Sequence, residues 1–307
     1  MASFTAKDVQ ELRARTSCGM MDCKNALTAA DGDMDKAVEI LREKGLAAAT
    51  KKAGRIAAEG LVVAKVYDDK NAGVVVEVNS ETDFVAKNET FVEFANVIAN
   101  TIADANPADV DALMKVKAKG SDMTVEELLR DKILTIGENL KIRRFERVEG
   151  TTAAYVHGGG RIGVLVKFDT DLGDKDEFKA CGKDVAMQVA AMSPQYLDPA
   201  SVPAEELDKE KEILMAQIQN DEKSKNKPAQ VIEKMVTGRI NKYYKEVCLT
   251  DQAFIKDGDL SVAKYVENTA KALGGSIKIE SFIRFERGEG LEKKSDNFAD
   301  EVASMIK

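Results

Sequence analysis

An internal repeat limits what this 307-residue chain can fold into. Gly60-Leu-Val-Val-Ala-Lys-Val-Tyr67 has a counterpart in Gly150-Thr-Thr-Ala-Ala-Tyr-Val-His157, and Gly73-Val-Val-Val-Glu-Val78 in Gly163-Val-Leu-Val-Lys-Phe168, both at an offset of 90 without a gap. Each pair reads as two β-branched runs joined by a turn, Asp68 to Ala72 in the first copy and Gly158-Gly159-Gly160 in the second. That is the signature of a hairpin. Helical spacing follows in each copy: Phe91, Phe94, Val97, Ile98 and Ile102 up to Pro107, then Phe178, Val185, Val189 and Met192 up to Pro194. The prolines are 87 apart, so the first copy carries three extra residues between its second strand and its helix. Shorter helical patterns, Thr124–Ile136 and Ser261–Leu273, end at the matching Gly137 and Gly274. The copies close on Ile142–Gly150 and Phe282–Gly290, identical at six of nine positions, which reads as a third strand. Tandem α+β units packed together are the expectation.

The rest of the chain is helical in pattern. Residues 1–45 read as three short helices: Thr5 and Asp8 can box the first, Thr16 to Gly19 turn, Asp33 can cap the third, and Gly45 ends it. So small a bundle is marginal alone and should dock on something. Residues 46–59, rich in Ala and Lys, read as a helical or flexible linker before core unit 60–150. The second core unit, 150–290, contains an insertion. Within it, Leu207, Ile213, Leu214 and Ile218 form one stripe, and Val231, Ile232, Met235, Val236, Ile240, Tyr243, Tyr244 and Val247 another, turning over Lys223–Pro228. An antiparallel hairpin of coiled-coil type over about 203–247 follows. A last helix, Asp296–Ile306, closes the segment 291–307.

Composition narrows the chemistry. A net charge of −8 opposes binding to a phosphate backbone, so no direct nucleic-acid partner is expected. No run approaches a membrane span, and Met1 to Asp8 resembles a helix start more than a targeting segment, which makes a cytoplasmic location the expectation. Cys18, Cys23, Cys181 and Cys248 lack metal-ligand spacing and read as buried reduced thiols. His157, the one histidine, sits at a turn. Gly158 to Gly163 fits G-x-G-x-x-G, but a strand follows where a dinucleotide loop needs a helix. No cofactor, metal or covalent catalysis is expected.

The three-residue excess falls on the segment containing Thr82-Asp83-Phe84-Val85. One reading is a capped helix start, with Thr82 or Asp83 as N-cap and Phe84 and Val85 packed on their own core. The other is an element for insertion into a partner, since the sister copy has only Leu172-Gly173 there. Met20 and Met21 are adjacent, so one of them is expected outside the core as an adaptable contact.

Two stretches carry a family resemblance. Leu12-Arg-Ala-Arg-Thr-Ser-Cys-Gly-Met-Met-Asp-Cys-Lys-Asn-Ala-Leu27 and Glu77-Val-Asn-Ser-Glu-Thr-Asp-Phe-Val-Ala-Lys87 resemble the two signatures of elongation factor Ts, and 157–166 and 282–290 resemble further blocks of that family. The resemblance implies a guanine-nucleotide exchange factor for elongation factor Tu. It implies a ubiquitin-associated-like N-terminal domain, a duplicated core, a coiled-coil hairpin and a C-terminal helical module. It places Thr82, Asp83, Phe84 and Val85 in a loop that dislodges the partner's magnesium ion. More weakly, it puts Arg13, Met20, Met21, Lys24, Gly137, Glu138, Asn139, His157 and Met235 on the partner surface. Self-association stays open. The competing classes are a scaffold that binds Tu without altering nucleotide release, and an enzyme acting alone.

Overall fold

The computed structural model describes residues 4–16, 18–221 and 227–292. The closing helix expected over Asp296–Ile306 lies outside them, as does most of the turn expected over Lys223–Pro228.

Three helices open the chain: α1 (Ala6–Thr16), α2 (Met20–Ala29) and α3 (Met34–Lys52). Thr5 and Asp8 form the expected box, the Thr5 amide donating to the Asp8 carboxylate at 2.6 Å. Asp33 caps α3 by accepting from the amides of Asp35 and Lys36. The helix end expected at Gly45 is not observed. Gly45 is buried inside α3, where an added Cβ would lie 3.5 Å from the Arg130 carbonyl oxygen. It is small because another helix passes over it. The stretch expected as a linker thus begins as the last two turns of α3, which lie against the core.

The core mixes helix and sheet and holds two three-stranded antiparallel sheets, each with its own helices. In the first, β1 (Glu59–Tyr67), β2 (Ala72–Ser80) and β3 (Lys141–Glu149) form an antiparallel sheet with β2 central. The short α4 (Asp83–Ala86), then α5 (Glu89–Ala105), α6 (Val110–Lys115) and α7 (Val125–Ile136) lie between β2 and β3. In the second, β4 (Thr151–His157) and β5 (Ile162–Thr170) precede α8 (Asp176–Met192), and the helix pair α9 (Ala204–Asn220) and α10 (Ala229–Val247) follows. A two-stranded ribbon, β6 (Ala253–Phe254) with β7 (Asp257–Ser261), leads into α11 (Val262–Leu273) and β8 (Ile277–Glu286). The second sheet has the order β4-β5-β8.

Alternation on the central strands sends one set of side chains to the helices and the other to the sister sheet. Val74, Val76 and Val78 pack on Phe91, Phe94, Ile98 and Ile102 of α5. Val164, Val166 and Phe168 pack on Phe178, Val185 and Val189 of α8. Met192, read as part of that stripe, is instead exposed at the helix end. Between the sheets lie Val62, Val75, Leu165 and Phe285. Two sister glycines let the sheets approach: a Cβ on Gly73 would sit 2.4 Å from Leu165 Cδ1, and one on Gly163 would sit 2.4 Å from Val62 Cγ1.

The third strands correspond differently from their sequence identity. Gly73 pairs with Val148 and Gly163 with Phe285, so the structural offset is 137, as Gly137 and Gly274 imply, and not the 140 of the matching Arg-Phe-Glu-Arg runs. Three residues is an odd slip, which exchanges the two faces of a strand. Phe145 therefore lies against the helix side of its own unit, whereas Phe285 fills the space between the sheets. Burial set the register, and the repeated motif did not.

Both units carry a register shift at the same place, between Glu77 and Val78 and between Lys167 and Phe168. In the first unit the extra residue is Arg143, so Arg143 and Arg144 both reach the fully buried Glu77. Arg143 Nη1 lies 3.1 Å from each carboxylate oxygen and Arg144 Nε lies 2.6 Å from Oε2. Asn79 Nδ2 and the Gly288 amide complete the shell at 3.0 and 2.8 Å. Burial works to raise the Glu77 pKa, but the donors from Gly288, Asn79, Arg144 and Arg143 outweigh it and hold the group below its ordinary value.

The helix pair is antiparallel, since Leu207 near the start of α9 meets Tyr243, Tyr244 and Val247 at the end of α10. Its seam uses Leu214, Ile218, Ile232, Met235, Val236 and Ile240. Ile213 and Val231, assigned to the stripes by sequence, point outward instead and are exposed. Gln188 ties the returning chain to α8, donating to Gln252 and Ala253 and accepting from the Ile255 amide.

Two outcomes follow. Gly163→Ala should lower the denaturant midpoint by a stability loss of about 1–3 kcal/mol, because Val62 has little room to withdraw. Glu77→Gln should cost about 3 kcal/mol at neutral pH, by leaving the arginines without their counter-charge. Because the folded pKa is depressed, the stabilisation is complete above the ordinary value of 4.5 and fades as pH falls below it. Melting curves of the two proteins should converge under acid conditions.

Candidate functional site

The second strand of each unit ends at a matching residue, Ser80 or Thr170, and the chains then diverge. In the second unit the chain turns through Asp171 to Asp174 into the cap of α8, and Leu172 is buried. In the first unit it runs through Glu81, Thr82 and α4 before Asn88 caps α5 by accepting from the Thr90 amide. The three additional residues make a separate turn of helix.

That turn answers the two readings of the loop residue by residue. Thr82 is the N-cap: its Oγ1 accepts from the Val85 amide at 3.4 Å. Asp83 is not the cap. Its carboxylate pairs with Lys87 Nζ at 2.7 Å on the same helical turn. The Lys87 ammonium, with a smaller contribution from Arg287, holds Asp83 below the usual carboxylate range. Val85 packs partly on the cluster beneath, and Ala86 is buried. Phe84 points away and is 82% exposed, the most exposed of the large apolar side chains among the described residues. A phenylalanine so placed adds nothing to its own core.

The loop is anchored from below. Glu138 Oε2 accepts from the amides of Glu81 and Thr82 at 3.0 and 3.1 Å, and its Oε1 accepts from Thr82 Oγ1 at 2.6 Å. Glu81 Oε1 in return accepts from the Asn139 amide at 2.6 Å. Asn139 Nδ2 donates to the Arg55 carbonyl oxygen at 2.8 Å, and Arg55 Nη1 lies 3.4 Å from Glu81. Gly137, in a left-handed conformation at φ 87°, ends α7 and turns the chain so that Glu138 and Asn139 face the loop. Of the residues singled out by sequence, Gly137, Glu138 and Asn139 are thus brought to Thr82–Val85. Glu81, Arg55 and Lys87 were missed. The acidic residue shared by both units directly after the second strand, Glu81 and Asp171, was the available signal for the first of them.

The other candidates lie on other surfaces. His157 is exposed at the turn into β5, its Nδ1 3.1 Å from the Tyr155 hydroxyl. Gly160 of that turn accepts from the Val62 amide, which places the turn beside β1. Arg13 and Lys24 are exposed on α1 and α2. Met20 and Met21 are both exposed, not one of them alone. Val9, Leu12, Cys23, Ala26 and Leu27 fill the bundle without their help. Met235 is half-buried in the seam of α9 and α10.

Concave space lies elsewhere. A cleft of about 440 Å³ runs between the units past Tyr67, Thr151 and Lys183. Another, of about 530 Å³, separates α3 from α7 past Leu41, Arg130 and Asp131. Neither includes a residue of the Phe84 turn. Among the described residues no cluster of His, Cys, Asp and Glu could hold a metal ion, and no helix is long and apolar enough to cross a membrane. All four cysteines are free and buried, and burial pushes the Cys248 thiol up to about 11.

Comparison with known proteins adds a family. A model described as "Elongation factor TS" matches residues 81–289. Elongation factor Ts of Clostridium perfringens (strain ATCC 13124) is 54% identical over 305 residues, covering 98% of this chain and 99% of that protein. Elongation factor Ts of Clostridium novyi (strain NT) is 54% identical, with 98% of each chain covered. Elongation factor Ts of Syntrophotalea carbinolica is 50% identical, with 99% of each covered.

Phe84→Ala should leave the melting temperature within about 2 °C of the parent, since a surface change away from any packing costs little. Ile98→Ala, at a fully buried position, should lose about 2–5 kcal/mol in the same measurement.

Proposed function

The chain belongs to the elongation factor Ts family, and from that premise we propose that it is a guanine-nucleotide exchange factor that binds elongation factor Tu and speeds release of its GDP. The observation that carries the mechanism is the exposed Phe84 on a turn that its sister unit lacks. Thr82–Val85 is the part that enters the partner. Phe84 acts as a wedge beside the partner's nucleotide site, and Asp83, half-exposed and paired with Lys87, stands ready to meet the phosphate or magnesium region. Displacing the magnesium removes the main counter-charge on the phosphates, and GDP leaves faster. The coupling is reciprocal: this protein binds best to the conformation that holds nucleotide poorly, so nucleotide weakens its binding by the same factor.

The remaining parts divide the grip. We assign the N-terminal helical segment, expected over residues 1–45, to a ubiquitin-associated-like module whose exposed Arg13, Met20, Met21 and Lys24 face the partner's nucleotide domain. The two core units carry the loop and the His157 turn. The α9–α10 pair is a coiled-coil arm, with Met235 at its seam. The reaction needs no covalent chemistry, and the expected setting is the cytoplasm.

Release of a fluorescent GDP from purified Tu tests this reading. The parent should accelerate release, and Phe84→Ala should reduce the acceleration by about ten- to a hundredfold at subsaturating concentration, the range expected for losing one anchored aromatic side chain. Binding without acceleration by the parent would make the protein a scaffold. Equal acceleration by a folded Phe84→Ala variant would remove the wedge.

A further inference from the structure

The family resemblance weakly implies Glu138 as a partner contact, yet both of its carboxylate oxygens are already engaged within the chain. The duplication supplies an internal control for what this engagement does. At the structural offsets of 90 and 137, Glu81 corresponds to Asp171, Asn139 to Ser276 and Glu138 to Gly275. One half of the latch is present in both units. Glu81 accepts from the Asn139 amide at 2.6 Å, and Asp171 accepts from the Ser276 amide at 2.8 Å. This half closes the end of the sheet and is structural. The other half occurs once. Where the first unit has Glu138, the second has a glycine, whose added Cβ would lie 2.7 Å from both Asp171 Oδ1 and Leu172 Cδ2. There the chain packs Leu172 inward and needs no further support. In the first unit the chain turns outward, and Glu138 takes the two backbone amides and the one hydroxyl at the base of that turn.

We propose that Glu138 is a positioning residue for Phe84. It fixes the base of the projecting turn so that the ring is presented in one orientation before any partner arrives. Three hydrogen bonds to one carboxylate hold the amides of Glu81 and Thr82, and Thr82 in turn caps the helix that begins at Asp83. Without the carboxylate, those donors turn to water and the turn loses its fixed base. The ordering gained in advance is ordering that association no longer has to supply. Only the direction in which the ring is aimed rests on the exchange reading; the positioning itself does not.

The absence of tryptophan from the sequence gives a clean reporter. Phe84→Trp supplies a single fluorophore at the tip, and its anisotropy decay is measured in the protein alone, with and without Glu138→Ala. The proposal expects a larger fast-motion amplitude when Glu138 is removed, and an intermediate one for Glu138→Gln, which keeps one acceptor oxygen. With Tu present, Glu138→Ala should slow GDP release by about tenfold. Combined with Phe84→Ala it should add nothing to the loss caused by Phe84→Ala alone. Unchanged tip motion in a folded Glu138→Ala or Glu138→Gln protein would overturn the proposal. So would a double variant clearly worse than Phe84→Ala, which would put Glu138 in contact with the partner itself. If the parent fails to accelerate GDP release, the exchange reading fails, and the anisotropy result still decides the positioning role.

Discussion

The Glu77 carboxylate is the constraint around which the two core units are joined. A buried charge of this kind is tolerated only when its hydrogen-bonding capacity is filled. Here two of the donors come from a slipped register on β3 and one from the backbone of Gly288, beyond the end of β8. Arg144 extends the link, donating to the Glu286 carbonyl oxygen and the Glu289 carboxylate and lying 4.2 Å over the Phe285 ring. The first sheet is thus bound to the chain leaving the second. In the sister position Lys167 makes a half-exposed pair with Glu280. The same bulge geometry therefore serves a buried latch in one unit and a surface ion pair in the other.

Joining the units in this way fixes the surroundings of the projecting turn. Arg287 and Gly288 hold the start of β1, through the Gly60 carbonyl oxygen, the Glu59 carboxylate and close contact with Ala58. The stretch between α3 and β1 is held again by Arg55 against Glu81 and Asn139. Phe84 therefore stands on a base assembled from four separate parts of the sequence. The N-terminal bundle is connected to that base by a continuous helix and a pinned segment, not by a free linker. For a protein proposed to work by pressing a side chain into a partner, this matters, because a wedge transmits binding energy only if its support does not yield.

Much of this was legible in the sequence, because duplication leaves a pattern that survives divergence. The offsets of 90 and 87 located the hairpins and long helices, and their difference of three residues located the projecting turn. What failed did so where tertiary packing outweighs local pattern. Gly45 looked like a helix end and is a contact glycine under α7. The Arg-Phe-Glu-Arg identity suggested an alignment that burial rejects by three residues. Ile213, Val231 and Met192 had helical spacing but fall outside the buried seams. The role of Glu138 was hidden for a related reason. Its partners lie 56 and 57 residues away, and nothing local marks a carboxylate that serves a distant turn.

The proposed wedge puts the Phe84 tip in the nucleotide-binding region of elongation factor Tu. The most direct measurement replaces Phe84 with the photocrosslinking residue p-benzoylphenylalanine, irradiates the complex with GDP-bound Tu, and maps the adducts by mass spectrometry. A wedge at that site gives adducts confined to the partner's magnesium- and phosphate-binding segments, lost when the partner is omitted. Adducts elsewhere on Tu, or none while exchange proceeds, would contradict it.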